Sequence, residues 1–148
     1  MKAVVLAVLA ALAMFACSSS SSSDDRAKRA DRAISIEVTV GGNVATWTRA
    51  TLSSVPRTIM SADAHNKWRQ GWSLRRLAKE LVGPTARVAR VMGSDRETKI
   101  DANAWADLTR TPVVHVTDEG TLSFRWAAAD ETWGDVEVHE VTALEIVQ

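Results

Sequence analysis

The chain has 148 residues, with 18 basic and 18 acidic side chains and a single cysteine. That length holds one domain, and the balanced charge argues against a dedicated nucleic-acid binder, which carries a net basic surface. One cysteine excludes a disulfide framework within the chain and any multi-cysteine metal site.

Residues 1–16 read MKAVVLAVLAALAMFA, with Lys2 ahead of an uncharged aliphatic run. The run is too short to cross a bilayer, which takes about 20 residues, and matches the core of a secretory signal peptide. Met14-Phe15-Ala16-Cys17 resembles the lipobox of bacterial lipoproteins, in which the cysteine is acylated and becomes the mature N-terminus. That resemblance implies a signal peptide over 1–16 and lipidation of Cys17. The alternative is a plain signal peptide with an incidental cysteine. Six serines, Ser18 to Ser23, and then Asp24-Asp25 follow, which reads as a flexible tether over 17–33. Ser18 stands where inner-membrane lipoproteins often carry aspartate, so outer-membrane delivery is expected. The domain would then lie in the periplasm or on the cell surface.

The domain itself is expected over 34–148. Ile34 to Val40 alternates apolar and polar residues and predicts a half-buried strand. Gly41-Gly42-Asn43 is a turn, and Val44 to Trp47 a short partner strand. Thr48 to Val55 has room for one helical turn, closed by Pro56. Leu74 to Val82 is the clearest helix: Leu74, Leu77, Ala78, Leu81 and Val82 form one apolar face. Ser73 is its N-cap and Gly83-Pro84 its stop. Ala86 to Met92 and Glu97 to Ile100 read as strands around Gly93-Ser94-Asp95. Asp101 caps a second helix from Ala102 to Leu108. Pro112 to Thr117 and Thr121 to Trp126 form a hairpin, with Gly120 supplying positive φ in its loop and Leu122, Phe124 and Trp126 on one face. Glu137 to Val147 supplies one or two closing strands. The order lacks regular βαβ alternation, so the expected class is α+β: a single strand-rich mixed domain with two short helices.

Charge is uneven along the chain. Residues 26–96 hold 14 basic and 5 acidic residues, and residues 97–148 hold 3 and 11. The plain expectation is that the halves pair in one sheet and complement each other. The sharper one is a basic patch around Arg69, Arg75 and Arg76 that attracts an anion or an acidic partner. His65, His115 and His139 have no compact ligand spacing, so no metal site is expected. Ser73 has the place of an N-cap and not of a nucleophile, since the final glycine of a nucleophile elbow is missing. No catalytic residue is nominated. The chain has six tryptophans and no tyrosine. Trp105 and Trp126 have periodic apolar neighbours and are expected in the core. Trp68 and Trp133 sit in polar, loop-like sequence, where an exposed pair would suit a sugar, peptide or aromatic ligand.

Gly71-Trp72-Ser73-Leu74-Arg75-Arg76-Leu77 resembles the W-x-G-[VW]-x-L-x-x-L-L segment of the oxidoreductase molybdopterin-binding domain, the central domain of sulfite-oxidase-like enzymes. Leu52-Ser53-Ser54-Val55-Pro56 resembles that family's L-x-x-L-P. The run from Ala89 to Ile100 resembles V-x-S-x-D-G-Y-x-x-x-I, Gly120-Thr121-Leu122 resembles N-G-x-x-L, and Val141 to Val147 its last strand. The resemblance implies a sulfite-oxidase molybdopterin-domain-like fold over 34–148. In those enzymes a cysteine thiolate, placed between the Leu-Pro and Trp-Gly motifs, ligates molybdenum. Here that interval, Arg57 to Gln70, has no cysteine, and neither Asp63 nor His65 replaces a soft thiolate.

The expected function is therefore a lipid-anchored envelope protein, more a binding or accessory module than an enzyme, without a cofactor. Trp68 or Trp72 is expected to fill the place of the metal, with Arg69, Arg75, Arg76 and Trp72 as a weak anion site beside the helix N-terminus. The expected partners are the membrane, through the N-terminal lipid, and an envelope protein or an anionic ligand. Two alternatives stand beside it: a molybdopterin-dependent oxidoreductase with an altered metal site, and a purely structural envelope lipoprotein.

Overall fold

The computed structural model describes residues 34–62 and 68–148. The predicted signal peptide, Cys17, the serine tether, Asp63 and His65 lie outside the described residues, as does the side chain of Trp68. Among the described residues, ten strands and three short helices follow in the order β1 (Ser35–Val40), β2 (Asn43–Thr48), α1 (Arg49–Ser53), β3 (Ile59–Ala62), β4 (Trp68–Ser73), α2 (Leu74–Leu81), β5 (Arg87–Gly93), β6 (Glu97–Lys99), α3 (Ala102–Ala106), β7 (Arg110–Val116), β8 (Leu122–Ala128), β9 (Trp133–Val138) and β10 (Val141–Val147). This is a strand-rich α+β arrangement.

The strands form two five-stranded sheets, ordered β2-β1-β10-β5-β6 and β3-β4-β7-β8-β9. The first is antiparallel except where the first and last strands lie side by side in parallel, Val38 opposite Leu144. The second is antiparallel throughout. Both sheets contribute to one apolar core. Ile36, Val38, Val88, Val91, Leu144 and Ile146 come from the first sheet, and Trp72, Val114, Leu122, Phe124 and Val138 from the second. Alternation along β1 buries Ile36 and Val38 and exposes Ser35 and Glu37, the period-2 pattern of a half-buried strand.

Helix α2 joins the layers, packing against β5 of one sheet and β7 of the other. Its buried residues Leu74, Leu77 and Ala78 recur at i, i+3 and i+4 and so share one face. Ser73 ends β4 and caps α2 in one residue: its Oγ accepts the Arg76 N–H at 3.4 Å. The helix closes where the Gly83 N–H donates to the Ala78 carbonyl at 3.0 Å, with Gly83 at φ 155°. Asp101 caps α3 as expected, accepting the Ala104 N–H at 2.8 Å.

The structure departs from the sequence expectations at five points. The two halves do not share one sheet, because strands from both halves enter each of two sheets. Charge complementarity nonetheless operates between the halves, since Arg90 meets Glu97 and Glu145 at 3.5 and 3.4 Å, and Arg69 meets Asp118 at 3.3 Å. The helical turn expected between Thr48 and Val55 is α1, which brings the helices to three among the described residues and is opened by a reciprocal capping box between Thr48 and Thr51. The stretch Arg57 to Gln70 contains β3 and the start of β4, whose alternation of Trp68, Gln70 and Trp72 with Arg69, Gly71 and Ser73 is a strand signal. Trp133 lies on β9, not in a loop, and is half-buried. Trp105 and Trp126, expected in the core, are partly buried against its edge.

Candidate functional site

The N-terminus of α2 opens onto a surface trough of about 570 Å³ lined by Thr58, Ile59, Ser73, Arg75, Arg76, Lys79, Glu80 and Thr111. Three cations face one carboxylate. The direct passage from β4 into α2 puts Arg75 and Arg76 on the first turn, on the face opposite the buried Leu74, Leu77 and Ala78.

Arg75 is held by main-chain carbonyls. Its Nε donates to the Trp105 carbonyl at 2.8 Å, Nη1 to the Arg110 carbonyl at 2.9 Å and Nη2 to the Asp107 carbonyl at 2.6 Å. Three of the five N–H donors of a guanidinium are thus spent on the α3–β7 connection. That connection is shaped by Asp107, whose carboxylate accepts the Thr109 N–H at 2.9 Å and its hydroxyl at 2.6 Å. These bonds hold the Asp107 carboxyl below its ordinary pKa. Burial in turn lowers the Arg75 pKa, opposed by Asp107 and assisted by Arg110. Arg76 donates to Glu80 at 2.8 Å across one helical turn, an exposed pair that leaves much of the charge available to water. Lys79 completes the basic rim.

The four residues nominated from sequence do not converge on one point. Arg75 and Arg76 line the trough. Trp72 does not, because its ring is fully buried and its Nε1 donates to the Val55 carbonyl at 2.9 Å. Arg57 lies over that ring, its guanidinium carbon 4.4 Å from the centroid. Burial, then the nearby Arg49, lowers the Arg57 pKa. Arg69 sits further along β4 and makes a two-point contact with Asp118 in the β7–β8 loop, at 3.5 and 3.3 Å.

Sequence reasoning missed the role of Lys79, Thr58 and Thr111 as trough lining. Lys79 was legible on the wet face of the helix, but Thr58 and Thr111 arrive only through tertiary pairing. A second cluster lies on the face of the second sheet opposite Trp72 and Val114. There His115 pairs with Ser123 across the β7–β8 ladder, and its ring lies 4.9 Å from that of Trp133. His115 is buried and its Nε2 meets no hydrogen-bond partner among the described residues, while Nδ1 lies 3.3 Å from the Val116 carbonyl. Desolvation and then the Arg125 charge push the imidazole down to about 4, so it is neutral at physiological pH.

The molybdopterin group implied by the sequence resemblance needs a soft ligand for its metal. The trough offers guanidinium, ammonium, hydroxyl and one carboxylate. None is a soft ligand, and the chain's one cysteine, Cys17, precedes the domain. The residues present do not fit a thiolate-ligated metal. The trough exceeds the roughly 300 Å³ of a small-molecule pocket, but it is open to solvent and not an enclosed cavity. Comparison of the chain with protein-family profiles, curated proteins and solved structures returned no match.

Proposed function

We propose that this chain is a lipid-anchored cell-envelope protein whose domain is a non-catalytic binding or accessory module for an anionic ligand, on a molybdopterin-oxidoreductase-like fold that lacks the metal ligand. The observation that carries the reading is the basic trough. Arg75 and Arg76 on the first turn of α2, with Lys79 on its last turn, face Glu80 as the one carboxylate among the described lining residues, and the helix dipole adds partial positive charge at the first turn. Arg75 is pinned by three carbonyls, so it offers its remaining donors from a fixed position, which lowers the ordering cost of binding. Arg76 and Lys79 supply the mobile part of the charge. Among the described residues the lining holds no imidazole or thiol, the groups most suited to moving a proton or attacking a carbonyl near neutral pH. That favours binding over catalysis.

Anchoring rests on the resemblance of Met14 to Cys17 to a lipobox. Among the described residues no helix is long and apolar enough to cross a membrane, so the N-terminal segment carries the proposed attachment. Two experiments test the proposal. Titration with inorganic pyrophosphate, followed by amide shifts of Ser73 to Arg76, is expected to give saturable changes that the Arg76→Ala/Lys79→Ala double variant loses. Shifts that do not saturate, or that persist in the variant, contradict the anion site. In fractionated cells Cys17→Ser is expected to leave the membrane or stay unprocessed. A processed variant that remains firmly membrane-bound contradicts lipid anchoring.

A further inference from the structure

The four sheet edges are not protected alike. An edge strand presents unpaired main-chain donors and acceptors, and natural proteins blunt it with short length, charge, proline or a bulge. β6 has three residues and carries Glu97 and Lys99. β3 has four residues. β9 carries Gly134, Asp135 and Glu137 and shifts register against β8. β2 has none of these devices. Its six residues, Asn43-Val44-Ala45-Thr46-Trp47-Thr48, include no charge and no proline, and its register with β1 runs unbroken from Val40 opposite Asn43 to Ser35 opposite Thr48. All but Trp47 are exposed. Val44, 63% exposed, is one of two large apolar side chains that stand out into solvent among the described residues.

The hairpin fixes which groups the free edge offers. Gly41 and Gly42 both have positive φ, 54° and 87°, the geometry of a two-residue type I′ turn. Val40 and Asn43, which flank it, then form a hydrogen-bonded pair, and such pairs alternate along an antiparallel ladder. Asn43, Ala45 and Trp47 therefore spend their N–H and C=O groups on β1. Val44 and Thr46 turn theirs away from the sheet, and Thr48 donates its N–H to the Thr51 hydroxyl at 3.2 Å.

We propose that the β2 edge is a homodimer interface, in which β2 of a second copy adds antiparallel across a two-fold axis at Ala45. That axis sets Val44 opposite Thr46 of the second copy, and Thr46 opposite its Val44. Each is an outward-facing residue meeting another, so both pairs exchange main-chain hydrogen bonds. The side-chain parity is also satisfied, because residues opposite each other in an antiparallel pair share a face. A second copy fits this edge better than a charged partner strand does. An uncharged segment incurs no like-charge penalty against itself, and antiparallel pairing of identical strands closes with two-fold symmetry instead of growing. The result is a continuous ten-stranded sheet made from two five-stranded ones. This inference is independent of the anion trough, which lies on α2 and the second sheet.

The test uses cysteine placed on the axis. In a Cys17→Ser background the introduced residue is the only thiol in the chain. Ala45 and its symmetry mate form a non-hydrogen-bonded pair with Cα atoms about 4.5 Å apart, within the range a disulfide spans. Under mild oxidation Ala45→Cys is expected to give a disulfide-linked species at twice the monomer mass. Leu108→Cys, exposed in the α3–β7 connection, is expected to stay monomeric. Adding Thr46→Pro, which removes an outward N–H and leaves the β1 ladder intact, is expected to abolish the linked species. Val44→Lys does the same by charge without touching the main chain. The unmodified protein should sediment as a concentration-dependent dimer that Val44→Lys converts to monomer. Cross-linking of Ala45→Cys no faster than Leu108→Cys, or cross-linking that survives both blocking substitutions, overturns the proposal. A monomer at all concentrations, in which Thr46→Pro lowers stability because residues 1–33 cover the edge, also overturns it.

Discussion

Acidification is expected to unload stability through His115, and the size of the effect follows from its surroundings. The imidazole is enclosed between β7, β8 and Trp133, and desolvation together with Arg125 lowers its pKa from 6.5 to about 4. In the unfolded chain it returns to about 6.5. Between those values the unfolded state binds more protons than the folded state, so stability falls as pH drops from 6.5 towards 4. At about 1.4 kcal/mol per pH unit, the full loss is about 3 kcal/mol. About 2 kcal/mol of it is already gone at pH 5. The perturbation that isolates this is His115→Leu, which is close in volume and removes both the titration and the unpartnered Nε2. At pH 8 the variant is expected to lie within about 1.5 kcal/mol of the parent, as volume-conserving core swaps do. Urea unfolding at pH 8 and pH 5 is the assay. The parent is expected to lose about 2 kcal/mol more than the variant over that interval. Equal losses in the two proteins would refute the buried, neutral imidazole.

Three further substitutions probe the scaffold. Leu77→Asp puts a carboxylate at a fully buried position on α2 and is expected to cost more than about 4 kcal/mol, much of a small domain's stability. An unchanged melting temperature would contradict the packing of α2. Gly71→Ala places a methyl group against the Val113 side chain and the Val114 carbonyl. It is expected to cost about 1–3 kcal/mol by overpacking, read as a lower urea midpoint with an unchanged slope. Arg75→Lys cannot reach the carbonyls of Trp105, Asp107 and Arg110 together. It is expected to lose about 1–3 kcal/mol and to increase amide exchange in the α3–β7 connection. Exchange rates equal to the parent's would show that Arg75 does not hold that segment.

The local elements were legible because their signals are local. The alternation of Ile34 to Val40, the apolar stripe of Leu74 to Leu81 with Ser73 before it, and the glycine-closed β7–β8 hairpin each need only neighbouring residues. The division into two sheets was not legible. It depends on β10 inserting between β1 and β5, a long-range pairing that sequence patterns do not encode. β4 was masked by its own ending: Ser73 reads as a helix cap, which it is, and this hid the six strand residues that end on it. Arg75 and Arg76 were rightly placed beside the start of α2, since consecutive residues on one turn must stay together. Arg69 was grouped with them by sequence distance alone. Along a strand, three to four residues per turn gives way to about 3.3 Å of travel per residue, which carries Arg69 towards Asp118. Trp72 was expected near the site and is instead core, because alternation on β4 turns it inward beneath Arg57.

The proposed function is that of a domain that binds and does not catalyse, on a scaffold without the metal ligand. The most direct measurement is elemental and pterin analysis of the full protein released from membranes of cells supplied with molybdate. The account predicts molybdenum and pterin far below stoichiometric amounts. One molybdenum and one pterin per chain, retained through gel filtration, would contradict it.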